Sequence, residues 1–154
     1  MRYGSKFPAL AGLAIALTAG LATPAEASCT TTTAGLSFGT YDAQSPTPDD
    51  AGGTITVTCA GEGWLLFPSV SLSTGSSGSY ASRQLANGAN SLQYNIYTNA
   101  ARTQVWGDGS GGTSTVTMTV FFGSGSRSIY GRIPFGQMVA AGMYGDLIVV
   151  SVDY

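Results

Sequence analysis

Histidine is absent from the 154 residues of this chain. Proton transfer near neutral pH most often uses that side chain, and no serine here has a neighbouring base of the usual kinds to activate it. Charge is scarce too: Asp, Glu, Lys and Arg make up 9% of the sequence, about a third of the usual share. Beyond residue 27 the cations are Arg83, Arg102, Arg127 and Arg132, set against Asp42, Asp49, Asp50, Glu62, Asp108, Asp146 and Asp153. Four against seven leaves a net charge of −3 on that part. No basic patch exists to hold phosphates, which excludes nucleic acid as a partner. With two cysteines and no histidine, the ligands of a zinc site are lacking as well.

The remaining chemical candidates fail on what surrounds them. Gly107-Asp108-Gly109 followed by Gly111-Gly112 has neither the Lys of a phosphate loop nor the spaced carboxylates of a calcium loop, so a long hairpin turn is expected there. Asp49-Asp50 is the nearest thing to a carboxylate pair. Pro48 precedes it and Ala51-Gly52-Gly53 follows, a setting that predicts a solvated turn within a loop over residues 41–53. The expectation is a protein that is not an enzyme, with no catalytic residue, no cofactor and no metal.

What is present begins with an export signal. Arg2 and Lys6 supply a positive start, Leu10 to Ala22 is apolar apart from Gly and Thr, and Ala25-Glu26-Ala27 has the small-x-small form of a cleavage site. Residues 1–27 are therefore expected to be a signal peptide cut before Ser28, leaving a single domain over 28–154. The apolar run is shorter than the ~20 residues a membrane span needs, so no span is expected after cleavage. In an oxidising compartment, Cys29 and Cys59 are expected to form a disulfide.

Gly, Ser and Thr are abundant, which suits short strands joined by tight turns. Strands are predicted over 31–38, 54–59 and 69–74, around Leu92, Tyr94 and Ile96, through Val116, Met118, Val120 and Phe122, and over 128–133. Ile55, Val57 and Cys59 alternate with threonines, the clearest half-buried pattern in the chain. The last strand, 147–154, puts Ile148, Val150, Val152 and Tyr154 on one face. Its edge requires a neighbour. Trp64, Leu65, Leu66 and Phe67 form a dense apolar cluster open to two readings: a strand lining the core, or an exposed tip that meets surfaces or partners. Six to seven short strands and no helix predict an all-β, immunoglobulin-like sandwich.

Five blocks, in order, carry a family resemblance. Cys29-Thr-Thr-Thr with Leu36-Ser-Phe-Gly-Thr-Tyr-Asp42 resembles the opening of the spore coat protein U domain, and Gly53-Thr-Ile-Thr-Val-Thr-Cys59 its second-cysteine strand. Leu92-Gln-Tyr-Asn-Ile-Tyr-Thr with Ala100-Ala-Arg-Thr-Gln-Val-Trp-Gly-Asp-Gly109 resembles its central block. Ile129-Tyr-Gly-Arg-Ile-Pro134 and the Gly142-x-Tyr144-x-Asp146 start of the last strand complete the match.

The resemblance implies a subunit of archaic, Csu-type chaperone–usher pili, or of a surface coat, with an adhesive role and biofilm formation as the biological setting. Such subunits are sandwiches missing their seventh strand. A periplasmic chaperone, handing over at an outer-membrane usher, and then a neighbouring subunit fill the gap with a donated strand. Tyr144, Ile148, Val150, Val152 and Tyr154 would then line the acceptor groove. With cleavage before Ser28, one residue precedes Cys29, so the subunit is expected to accept a strand without donating one, at a tip or in a non-polymerising role. The alternative is a self-contained adhesin domain using the Trp64–Phe67 cluster.

Overall fold

The computed structural model describes residues 28–60 and 65–154. The expected signal peptide and Trp64 lie outside the described residues. Among the described residues there are ten β-strands: β1 (Ser28–Ala34), β2 (Asp49–Ala60), β3 (Leu65–Leu66), β4 (Ser69–Leu72), β5 (Arg83–Asn87), β6 (Asn90–Tyr97), β7 (Val116–Thr117), β8 (Val120–Phe121), β9 (Ser124–Ile133) and β10 (Val150–Asp153). They form two sheets. The larger runs β1-β2-β9-β6-β5, with β8 beside β9 and β3 beside β8; the smaller runs β10-β4-β7. Every pairing between these strands is antiparallel. The architecture is the all-β, immunoglobulin-like sandwich that strand number and alternation predict.

The core follows from period-two patterning. Ile55, Val57 and Cys59 of β2 are buried, as are Leu92, Tyr94 and Ile96 of β6 and Ile129 and Ile133 of β9. The smaller sheet contributes Val70, Leu72 and Val116. Trp106 is fully buried, and its indole Nε1–H donates to the Val70 carbonyl at 3.0 Å, so its polar edge is satisfied as burial requires. Cys29 lies opposite Cys59 in the β1–β2 register, and the two form the expected disulfide. Gly131 is needed for packing: a Cβ there would lie 2.7 Å from Leu36 Cδ1 and 2.6 Å from Phe38 Cζ.

Several boundaries differ from the sequence expectation. Asp49 and Asp50 are not in a turn. They open β2, opposite Ile133 and Arg132 of β9, because Asp50 finds a cross-strand guanidinium there: Arg132 Nε and Nη2 donate to its two oxygens at 2.7 and 2.8 Å. The first strand ends at Ala34 rather than Phe38, β9 begins four residues early at Ser124, and regular pairing of the last strand is confined to Val150–Asp153. β5 was not expected at all. It joins β6 through the two-residue loop Gly88-Ala89, with Gly88 at φ 59°, the conformation a tight hairpin requires at its first central residue. Phe122 leaves the strand it was expected to continue. It takes φ 48° next to Gly123 at φ 88° and turns the chain from β8 into β9.

Candidate functional site: an apolar cleft at an open sheet edge

The C-terminal segment builds one wall of a cleft. Tyr144, Asp146, Ile148, Val150 and Val152 are half-buried, while Met143, Gly145, Leu147, Val149, Ser151 and Asp153 between them are exposed. That alternation is the period of extended chain with one face against a core. The segment passes from one sheet to the other. Gly145 and Ala86 exchange main-chain hydrogen bonds of 3.0 and 2.7 Å, which ties the segment to β5. Ser73 N–H then donates to the Val149 carbonyl at 2.9 Å, and β10 pairs with β4 from Val150 onward.

This pairing fixes which main-chain groups are free. Successive residues of a strand aim their N–H and C=O groups at opposite sides. Val149 faces β4 with both: its carbonyl bonds Ser73 N, and its N–H donates to Ser73 Oγ at 2.9 Å. Ile148, Val150 and Val152 therefore aim theirs the other way, where β10 is the edge of its sheet. Two of these three, Ile148 and Val150, also line a cleft of about 390 Å³ with Tyr144 and Asp146. Its other walls include Ile55, Ile96 and Ile129 from the larger sheet, and Leu36 and Phe38 from the segment after β1. Among the described residues, main chain without a strand partner and the lining of the apolar cleft thus belong to the same run.

One end of the cleft is polar and rigid. Tyr94 Oη donates to Asp146 Oδ2 at 2.9 Å, and Asp146 Oδ1 accepts from Ser76 N and Leu147 N, each at 2.9 Å. Burial, reinforced by that hydrogen bond and by the Asp146 charge, pushes the Tyr94 phenol above its ordinary range. Behind it sits Arg83, with no exposed surface. Its guanidinium donates to Ser73 O at 2.7 and 3.0 Å, to Trp106 O at 2.7 Å and to Asn95 Oδ1 at 2.8 Å. The Tyr80 ring centroid is 5.2 Å from its Cζ, within cation–π range. Burial pulls the Arg83 pKa down. Arg83 holds Ser73, and Ser73 holds Val149, so a buried cation sets the position of the open strand. Nothing in the spacing around Arg83 pointed to it; a lone arginine in a short strand carries no pattern.

The other residues singled out from the sequence fall as follows. Val152 packs against the core beside the cleft, but Tyr154 is 64% exposed and does not line it. The chain has passed the end of β10 by then and has no sheet to lie against. Leu65 and Leu66 form β3 and are half-buried, with Leu66 against the core. Phe67 is 62% exposed. Leu65 pairs with Phe121, so these two share an outer face. Phe121 and Phe122 meet edge-on at a centroid distance of 4.4 Å, and Phe122 is 76% exposed. This outer apolar end therefore includes two aromatics that the sequence pattern had assigned to a regular strand. Asp108 caps its own loop, accepting from Ser110 N at 2.8 Å and Ser110 Oγ at 2.6 Å, which is the turn role expected. Among the described residues no cluster of His, Cys, Asp or Glu is arranged to hold a metal ion.

The family model of the spore coat protein U domain matches residues 15–151. The chain belongs to the spore coat protein U domain family. A curated relative is Protein U of Myxococcus xanthus, 31% identical over an alignment of 137 residues that covers 77% of this chain and 71% of that protein. Among solved structures, the fold resembles a chain of the CsuC–CsuE chaperone–tip adhesion subunit pre-assembly complex from the archaic chaperone–usher Csu pili of Acinetobacter baumannii. The TM-score is 0.58 at 17% identity, over 84% of this chain and 40% of that one. At that identity the likeness concerns the fold. The spore coat protein U domain is seen here with a disulfide at its first strand and a cleft under its last.

Proposed function

We propose that this protein is a secreted, non-enzymatic structural subunit of a surface pilus or coat, and that its cleft receives a β-strand from a partner chain. One observation carries the reading: Ile148 and Val150 combine open-edge main chain with side chains that line an apolar cleft of about 390 Å³. An incoming strand would add main-chain hydrogen bonds along β10 and insert alternate side chains. Each apolar side chain it buries is worth about 1.5–3 kcal/mol. The partners in this reading are a periplasmic chaperone, an outer-membrane usher and a neighbouring subunit, and the chaperone–subunit complex that the fold resembles supports it. Residues 1–27 would direct export and be removed before Ser28. The subunit would then accept a strand without giving one, as at a pilus tip or in a non-polymerising coat.

The test is expression of residues 28–154 in a bacterial periplasm with and without a donor-strand peptide or the cognate chaperone. Proteolysis and thermal unfolding are then compared. The expected result is a labile protein alone that becomes resistant when the strand is supplied. A stable, protease-resistant monomer whose unfolding the strand leaves unchanged would overturn the reading.

A second reading, that one end of the domain attaches to surfaces, is favoured by the exposure of Phe67 and Phe122 and by the strained backbone of Phe122 at φ 48°. A bulky side chain in the left-handed region costs roughly 1–2 kcal/mol, a cost that tends to persist where a side chain must be displayed. Phe122→Asn retains a residue suited to that conformation while removing the aromatic, and Phe67→Ser removes the exposed aromatic that follows β3. Both variants are expected to export normally and to lose adhesion to hydrophobic plastic, with Phe122→Asn as stable as the parent or up to about 1 kcal/mol more so. Undiminished adhesion of the double variant would refute this reading; failure to fold would return Phe67 to a core role. Trp64, the remaining member of the cluster, joins the same test as Trp64→Ser.

A further inference from the structure

The sheet edges of this fold are not treated alike. β6 pairs with β9 only from Asn95 onward, and at Gln93 the Gln137 carboxamide fills the empty place. Its Oε1 accepts from Gln93 N at 2.7 Å and its Nε2 donates to Gln93 O at 2.9 Å. The free side of β5 is met at Ala86 by the main chain of Gly145. β1, at the end of the larger sheet, has no such cover among the described residues. Its residues, Ser28–Ala34, carry no charge and no proline, and all but Cys29 are exposed. Their register against β2 is unbroken by a bulge. Proline, charged side chains and bulges are the usual devices that stop an edge strand from recruiting another chain, and β1 has none of them.

The register around the disulfide fixes which main-chain groups of β1 are open. Cys59 N–H donates to Gly123 O at 2.8 Å, on the side of β2 away from β1. Cys29 and Cys59 therefore face each other as a pair that exchanges no main-chain hydrogen bonds. Bonded and non-bonded pairs alternate along an antiparallel ladder. Cys29, Thr31 and Thr33 thus aim both N–H and C=O at the free edge, while Thr30, Thr32 and Ala34 bond to β2. The open groups are symmetric about Thr31. Two copies of β1 laid antiparallel with Thr31 opposite Thr31 set open groups against open groups, Cys29 of each copy facing Thr33 of the other. The same alignment puts Thr30 opposite Thr32, a favourable cross-strand threonine pair, and no charge on either strand repels its copy.

We propose that β1 pairs edge to edge with β1 of a second copy, joining two domains through one continuous sheet about a two-fold axis at Thr31. This surface is separate from strand acceptance, which uses the edge of β10. The exported, disulfide-bonded protein, its cleft filled by a donor-strand peptide, is followed by analytical ultracentrifugation and amide hydrogen exchange over a concentration series. A dimer is expected, with the Thr31 and Thr33 amides gaining protection as it forms. Thr31→Pro leaves the pairing with β2 intact, because that N–H faces the free edge, where proline is tolerated. It should weaken dimerisation by about tenfold or more, with the unfolding temperature unchanged at dilutions where both proteins are monomeric. If Thr31→Pro does not fold, Thr31→Lys decides: from an exposed position it sets like charges across the axis and should weaken the dimer in a salt-dependent way. A monomer up to about 1 mM, a dimer untouched by the substitution, protection gained in β10 instead of β1, or protection of Thr31 by the peptide in a monomer would each overturn the proposal.

Discussion

Arg83 shows how one side chain governs a region it does not touch directly. Its donors satisfy the Ser73 and Trp106 carbonyls and the Asn95 side chain, and Ser73 in turn fixes Val149 by two hydrogen bonds. Replacing it by methionine keeps much of the volume but leaves those acceptors without their donor inside the fold. Each orphaned buried group costs about 1–3 kcal/mol, and relief from burying a charge offsets part of the sum. Arg83→Met is therefore expected to lose about 2–4 kcal/mol in denaturant unfolding. A donor-strand peptide should also bind it more weakly than the unfolding loss alone predicts, because Val149 is no longer held. An Arg83→Met protein with parental stability and strand affinity would show that the network is ornamental.

At the scale of elements, β2 and β9 are locked in register by an ion pair as well as by their long ladder. Asp50 accepts both donors of Arg132 and lies 3.2 Å from Arg102 Nε. The Arg132 hydrogen bonds, with help from both positive charges, hold the Asp50 carboxyl below its ordinary value of 3.8. A carboxylate whose pKa is lower in the folded state stabilises the fold above its unfolded pKa, and that contribution is lost as pH falls through the folded value. Asp50 and Arg132 are about one-third exposed, so solvent screening keeps the effect under about 1 kcal/mol. The stability gap between the parent and Asp50→Asn should close as pH drops below 3.8, and added salt should narrow it above that pH. A gap independent of pH would assign the effect to something other than the charge. This pairing also explains why the strand was hidden. Pro48 and Gly52-Gly53 give residues 49–53 the local look of a turn, whereas the partner that decides the matter, Arg132, is 82 residues away. β5 was hidden for a related reason: its buried positions are Arg83 and Leu85, so a cation interrupts the apolar alternation and only Asn87-Gly88 signals the hairpin. By contrast, Ile55, Val57, Leu92, Tyr94 and Ile96 were legible because their burial depends on pattern alone.

For the whole molecule, the question is what holds a sandwich together across an open cleft. The rim formed by Leu36 and Phe38 follows directly from β1, and among the described residues β1 has one strand neighbour, β2. Its outer residues Thr30 and Thr32 pair with Thr58 and Thr56, a polar face that offers little apolar burial. The Cys29–Cys59 disulfide, spanning 30 positions, is the covalent tie at this edge. Closing a loop of that length is worth about 3–4 kcal/mol by chain entropy. The Cys29→Ser, Cys59→Ser double variant should therefore unfold about 3–4 kcal/mol more easily in denaturant. It should also lose affinity for a donor strand, since β1 and the rim after it are no longer pinned opposite β10. Filling the cleft acts on the same edge from the other side, so supplied strand should restore part of the lost stability in the double variant. If strand binding were indifferent to the disulfide, β1 would have to be anchored by its ladder alone, and the rim residues Leu36 and Phe38 would owe their placement to the Gly131 contact instead.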